Sequence, residues 1–155
     1  MRSRPVKLLL LASLMIFVYT SEFPIRIAPR SAIAASFTLW GRILAPAGWG
    51  FSSPTVKNPG PEVDANPGDS VTLMLFSGDG VAHAFCVDYE PVPDFTCQTP
   101  GEPLSPNFSS TSPQSFTFTA IATPGSYTYF CNIHGQAMSG RFVIPATNGV
   151  GRLAT

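Results

Sequence analysis

Proline and glycine interrupt this sequence so often that no long regular element fits between the interruptions. The chain of 155 residues contains 16 prolines and 13 glycines. Proline removes a backbone donor and glycine favours turns, so this spacing is typical of short strands joined by turns and is unfavourable to long helices. No segment after the N-terminus shows a convincing helical pattern. The sequence therefore predicts an all-β domain.

Several segments between the turns alternate apolar and polar residues with the two-residue period of a half-buried strand. In residues 70–76, for example, Val71, Leu73 and Leu75 share one face. The stretches 46–69 and 90–111 are rich in proline and are predicted to be mostly loop or edge strand. The further predicted strands are residues 36–44, 81–89, 114–122, 126–131 and 140–145. About seven to eight short strands indicate a Greek-key antiparallel β-sandwich.

The first 35 residues have the pattern of an export signal. Basic residues precede an apolar run of 12 residues from Leu8 to Tyr19, and the tripeptide from Ala32 to Ala34 has the form of a cleavage site. The run is short for a membrane span, although an uncleaved anchor is the alternative. We expect an extracytoplasmic protein, located in the periplasm, outside the cell or on the outer face of the cell membrane. The predicted parts are a signal peptide or membrane-targeting segment at 1–35, a β-domain at 36–146 and a flexible tail at 147–155.

The charge is distributed unevenly along the chain. Residues 1–35 contain five basic residues and one acidic residue, which leaves four basic and eight acidic residues, a net charge of −4, in the remainder. This balance argues against nucleic acid as a partner and is compatible with a protein partner that has a basic docking surface. The alternative is that mild acidity only aids solubility. We expect a soluble monomer, associated with a membrane only if the N-terminal segment is retained.

The chain has three cysteines, and an odd number in an exported protein leaves one of them unpaired. Cys86 and Cys97 are 11 residues apart on either side of a proline-rich stretch, so we predict a disulfide between them. Cys131 is then the free cysteine. The alternative is that Cys86 is a buried thiol and Cys97 a loop thiol, because connectivity cannot be deduced from sequence.

Cys131 is followed closely by His134 and Met138. A thiolate, an imidazole and a thioether in one short loop suit copper, and a second imidazole would complete the trigonal arrangement with a weak axial methionine found in blue-copper sites. His83 is the only other histidine. The two-residue period places Cys86 on the face opposite to His83, so Cys86 is not predicted as a ligand. Each of these residues alone is more often structural, but together they predict a metal site.

The stretches "GDSVTLMLFSGDGVAHAFCVDY" and "PGSYTYFCNIHGQAMSGRFVI" resemble the ligand-bearing stretches of the cupredoxins, the small blue copper proteins of plastocyanin and azurin type. The resemblance implies one type 1 copper ion, with His83, Cys131 and His134 as equatorial ligands and Met138 as the axial ligand. Two residues separate Cys131 from His134, and three separate His134 from Met138, one fewer than in the plant-type loop.

The resemblance also implies an electron carrier and not an enzyme, which alternates between Cu(II) and Cu(I) and exchanges electrons with redox protein partners at the exposed edge of His134. Two alternatives stay open: a copper-binding or delivery protein without electron transfer, and a metal-free sandwich interaction domain. The binuclear copper centre of terminal oxidases needs a second cysteine in the ligand loop, where this chain has Asn132 and Ile133, so that variant is excluded.

Overall fold

The structure is a computed structural model that describes residues 34–146 of the chain. The predicted signal segment falls almost entirely outside these residues, and the predicted tail at 147–155 falls wholly outside them. Between residues 34 and 146, no helix is long and apolar enough to cross a membrane. The described chain forms eight strands and one short 3₁₀ turn, Ser53–Thr55. The strands are β1 Ala34–Arg42, β2 Gly48–Gly50, β3 Val63–Asp64, β4 Ser70–Ser77, β5 Phe85–Asp88, β6 Gln114–Thr119, β7 Gly125–Cys131 and β8 Gly135–Ile144.

The strands form two four-stranded sheets, with the orders β2-β1-β4-β6 and β3-β8-β7-β5. This arrangement confirms the predicted β-sandwich and the predicted number of strands. The prediction that the sheets are antiparallel throughout was wrong in one respect, because each sheet contains one parallel pairing. β1 runs parallel to β4, and β3 runs parallel to β8.

Three strand boundaries differ from the predicted ones, each for a local reason. β1 ends at Arg42 and not at Leu44, since the next two backbone N–H groups donate to the side chain of Asp79. β5 begins only at Phe85, after an isolated bridge formed by His83. β8 begins at Gly135, five residues earlier than predicted, because an irregular stretch that shows no alternation extends the strand.

The core lies between the sheets and follows the predicted alternation on β4, β5 and β7. The segment 46–69, predicted to be loop or edge strand, supplies the two short edge strands β2 and β3. It also supplies Trp49, which is completely buried at the centre of an aromatic cluster. The fully buried apolar residues from the other strands include Leu39, Val71, Leu73, Leu75, Phe85, Val87, Tyr129, Cys131, Met138 and Phe142.

The outer face of β5 is covered as well, so all four of its residues are buried. The sulfur atoms of Cys86 and Cys97 lie at bonding distance, with their Cα atoms 6.2 Å apart. On the neighbouring strand, the ring of Phe130 packs edge-on against Phe95, with ring centroids 5.7 Å apart. The proline-rich stretch after β5 therefore contacts the outer face of the sheet at Phe95 and Cys97.

Gly140 provides the space that Tyr129 needs in the core. These two residues are direct partners across β7 and β8, and a Cβ atom added at position 140 would overlap the Tyr129 ring. The ring cannot move easily, because its hydroxyl donates a hydrogen bond of 2.7 Å to the carbonyl of Pro61. A glycine is therefore required by close packing at this position and not by a turn.

We predict that Gly140→Ala lowers the free energy of unfolding by about 1–3 kcal/mol, the usual cost of overpacking a core. Urea denaturation of the metal-free protein measures this change in the free energy of unfolding. The matched control is Ser115→Ala on the exposed face of β6, where a change within about 0.5 kcal/mol is expected. Equal stabilities of the two variants would contradict this account of Gly140.

Candidate metal centre

His83 is held rigidly just before β5. Its backbone N–H donates to the carbonyl of Phe108 at 2.8 Å, and the N–H of Phe108 donates to the carbonyl of His83 at 2.9 Å. The side chain is completely buried. The pair of backbone bonds fixes the main chain of His83 at this position.

Cys131 and His134 are joined by a tight turn between β7 and β8. Cys131 pairs with Phe85 on β5 and with Gly135 on β8, so only three residues form the turn. Gly135 has a φ angle of +57°, the left-handed conformation that commonly closes such a three-residue hairpin loop. The N–H of His134 donates to the carbonyl of Cys131 at 3.1 Å, which folds the histidine back toward the cysteine.

The two imidazoles both direct Nδ1 at the sulfur of Cys131. The distance to Sγ is 3.3 Å from His134 Nδ1 and 3.9 Å from His83 Nδ1. The three potential ligand atoms all lie within 4.8 Å of one another. The N–H of Ala84 also points at Sγ, at 3.5 Å. The structure thus brings together three of the four residues predicted as ligands, and a backbone amide approaches the sulfur.

Met138 lies on β8 and is completely buried. Its carbonyl accepts a hydrogen bond of 2.9 Å from the indole Nε1–H of Trp49, whose ring is 6.3 Å from the ring of His83. Gly41 on β1 leaves room for both side chains, since a Cβ there would lie 2.9 Å from Trp49 and 3.1 Å from the Met138 methyl. The indole of Trp49 therefore holds the backbone of Met138, and Gly41 leaves space for its side chain.

Asp79 is a further residue of this region, and it was not among the residues predicted from the sequence to belong to the site. Its Oδ1 accepts a hydrogen bond of 3.0 Å from Nε2 of His83, and both side chains are almost fully buried. Burial raises the pKa of Asp79, but hydrogen bonds from the Leu44 amide, from His83 and from two further backbone amides outweigh it and hold the pKa well below its usual range. The signal in the sequence was an acidic residue four positions before the histidine.

His134 differs from His83 in being partly exposed. Burial lowers the pKa of His134, and the neighbouring His83 lowers it further. Neutral imidazole, the form that binds metals, is thereby favoured over imidazolium.

The donor set of this cluster fits copper. A thiolate and two imidazoles with a nearby thioether are the ligands of blue-copper sites, and each imidazole presents Nδ1 toward the same point. Cys131 is free and buried, so its sulfur is available as a ligand. A second cluster of three residues, Cys86, Cys97 and Glu102, does not fit a metal, since its two sulfurs are bonded to each other.

Comparison with solved structures identifies the fold. Auracyanin A, a blue copper protein from the green thermophilic photosynthetic bacterium Chloroflexus aurantiacus, aligns with 72% of this chain and 98% of its own, at 18% identity and a TM-score of 0.51. This chain has the cupredoxin fold. The same fold occurs in a multicopper oxidase from Pseudomonas thermotolerans, of which this chain spans 30%; the alignment covers 74% of this chain at 14% identity and a TM-score of 0.51.

No protein-family model matches the sequence, and none of the curated proteins compared with it is significantly similar. At identities below 20%, the structural likeness establishes the cupredoxin fold, and function must be argued from the site itself.

We predict that Trp49→Phe lowers the free energy of unfolding of the metal-free protein by about 1–3 kcal/mol, because the buried carbonyl of Met138 loses its donor. The chain supplies a matched control in its other tryptophan. Trp40 stacks on Phe76 on the outer face of the sheet, so Trp40→Phe should cost less than about 1 kcal/mol. Thermal and urea unfolding of both variants measure the difference, and equal costs would contradict the role given to Trp49.

Proposed function

We propose that this chain is a small extracytoplasmic type 1 copper protein that carries single electrons between redox partners. His83, Cys131 and His134 would hold the copper ion as equatorial ligands, and Met138 would be its axial ligand. When bound, the copper ion supplies the one-electron couple between Cu(II) and Cu(I). The chain binds, orients and insulates the ion and needs no catalytic residue of its own.

The observation that carries this proposal is the convergence of both imidazole Nδ1 atoms on a buried, unpaired thiol, at 3.3 and 3.9 Å. A disulfide partner or an exposed position would account for a cysteine in other ways, but Cys131 has neither. The amide N–H of Ala84 points at the same sulfur at 3.5 Å, so Sγ has a backbone donor as well as the two imidazoles around it.

The rigidity of the surroundings suits electron transfer. His83 is fixed by two backbone hydrogen bonds, Cys131 by pairing with two strands, and Met138 by the indole of Trp49. Little of this framework has to move when the charge of the bound ion changes by one. A small rearrangement keeps the barrier to electron exchange low.

Electrons enter and leave at the edge of His134. This residue is partly exposed, whereas His83, Cys131 and Met138 are completely buried. The neighbouring surface includes Ile133, which is 46% exposed. An apolar surface with one imidazole at its edge allows a redox protein to approach closely without leaving polar groups unpaired.

A partner with a basic docking surface is favoured by the position of the acidic residues. Three of them, Glu90, Asp94 and Glu102, belong to the stretch between β5 and β6, and Glu90 and Glu102 both contact Thr99. Asn132 of the ligand turn contacts the same stretch by accepting from the N–H of Cys97 at 3.2 Å. A negative surface beside the ligand turn steers a positively charged partner toward it. We also propose that the segment 1–35 directs export of the protein and that the exported carrier is a monomer.

We predict that the purified protein binds one Cu(II) ion and shows an intense thiolate-to-copper charge-transfer band, with the narrow EPR hyperfine splitting of a type 1 site. Cys131→Ser should abolish the band, because the thiolate is lost. A double variant, Cys86→Ala with Cys97→Ala, is the control and should keep the colour. Absence of the band in the unmodified protein, or its survival in Cys131→Ser, would contradict the proposal.

We predict that Met138→Leu keeps the colour and raises the reduction potential, since an axial thioether stabilises Cu(II) more than Cu(I). Met74→Leu is the matched control, because Met74 lies on β4 with its side chain on the outer face of the sheet. Redox titration followed by visible absorption measures both potentials. A shift of the same size in both variants would exclude Met138 as the axial ligand.

A further inference from the structure

The buried carboxylate of Asp79 accepts hydrogen bonds from four N–H donors while its side chain is only 1% exposed. Oδ2 accepts from the backbone N–H groups of Ile43 at 2.7 Å and Leu44 at 3.0 Å. Oδ1 accepts from His83 Nε2 at 3.0 Å and from the N–H of Val81 at 3.1 Å. The hydroxyl of Ser77 lies 3.1 Å from Oδ1 and 3.0 Å from the carbonyl of Val81, and its one hydrogen serves one of these two acceptors. Donors occupy both oxygens, so the geometry leaves no room for a proton on this carboxyl and describes a carboxylate.

This carboxylate determines which nitrogen of His83 is free. Oδ1 can only accept, so Nε2 of His83 must carry a proton. In a neutral imidazole the lone pair is then on Nδ1, the atom that faces the sulfur of Cys131. Since a carboxylate behind a ligand histidine commonly fixes its tautomer and its ring orientation, the contact prepares His83 for a metal ion.

The carboxylate also places a buried negative charge close to the cluster, because only the imidazole ring of His83 separates it from the sulfur of Cys131. Such a charge stabilises a doubly charged ion more than a singly charged one, and little solvent is present to screen the interaction. We propose that Asp79 is a positioning residue for the copper site, which holds His83 with Nδ1 free and lowers the reduction potential by favouring the oxidised ion. This inference rests on the proposed function.

A purely structural role is the competing explanation, because Asp79 also joins the end of β1 to the turn after β4 through the amides of Ile43 and Leu44. The substitution Asp79→Asn separates the two explanations. It removes the charge, and its amide can accept hydrogen bonds on one side only. The control is Asp64→Asn, which makes the same change of charge at an exposed position on β3.

We expect the copper-loaded Asp79→Asn protein to prefer Cu(I) over Cu(II) at least tenfold more than the unmodified protein, a rise in potential of 59 mV for one electron. The reduction potential of the Asp64→Asn protein should rise by less than a third of this amount. Redox titration of the full chain measures both, and circular dichroism verifies that each variant is folded. A folded Asp79→Asn protein with an unchanged potential would overturn the proposal.

A second measurement needs neither a variant nor copper. Nitrogen NMR of the metal-free, unmodified protein at neutral pH reports which ring nitrogen of His83 carries the proton, and Nε2 is expected. Protonation on Nδ1 would overturn the role of Asp79. Because this spectrum is recorded without metal, its result stands even if the protein fails to bind copper, which would contradict the proposed function alone. The same measurement decides the question if Asp79→Asn does not fold.

Discussion

The pairing of Phe85 with Cys131 across β5 and β7 is the contact on which the candidate metal centre depends. Successive residues of a strand face opposite sides, so a slip of one residue would move the thiol from the core to the outer face of the sheet. The same register brings the amide of Ala84 to Sγ and places the carbonyl of Ala84 where it accepts from the N–H of Asn132 at 2.8 Å. Strand pairing therefore determines the site before any side chain is oriented.

The register is protected by what covers the other face of β5. Cys86 lies one residue after Phe85 and points away from the core, where the proline-rich stretch reaches it through Cys97. Ser105, from the end of that stretch, accepts from the N–H of Phe85 at 2.9 Å and donates its own N–H to the carbonyl of Phe85 at 2.9 Å. A segment that has almost no regular structure thus locks the strand that positions the cysteine.

Alternation along single strands made much of this predictable. The parity that placed Cys86 opposite to His83 depends only on local geometry and was visible in the sequence. The two parallel pairings depend on contacts distant in sequence, and the sequence offered no signal for them. Trp49 was missed as a core residue because glycines precede and follow it, so that no alternation of apolar and polar residues is visible there. The hydrogen bonds of Asp79 depend on a strand end 36 positions away.

The short spacing between His134 and Met138 is explained by an irregularity in β8. The pairing with β7 passes from Cys131 opposite Gly135 to Phe130 opposite Ser139, so residues 136–138 have no partner on β7. Such a bulge redirects side chains locally, and here it leaves backbone groups without ladder partners. The segment before β3 satisfies them: Asn58 donates to the carbonyl of Gln136 at 3.1 Å, and Trp49 donates to that of Met138. Met138, which three residues separate from His134, is therefore placed by a bulged strand that is braced from a second segment.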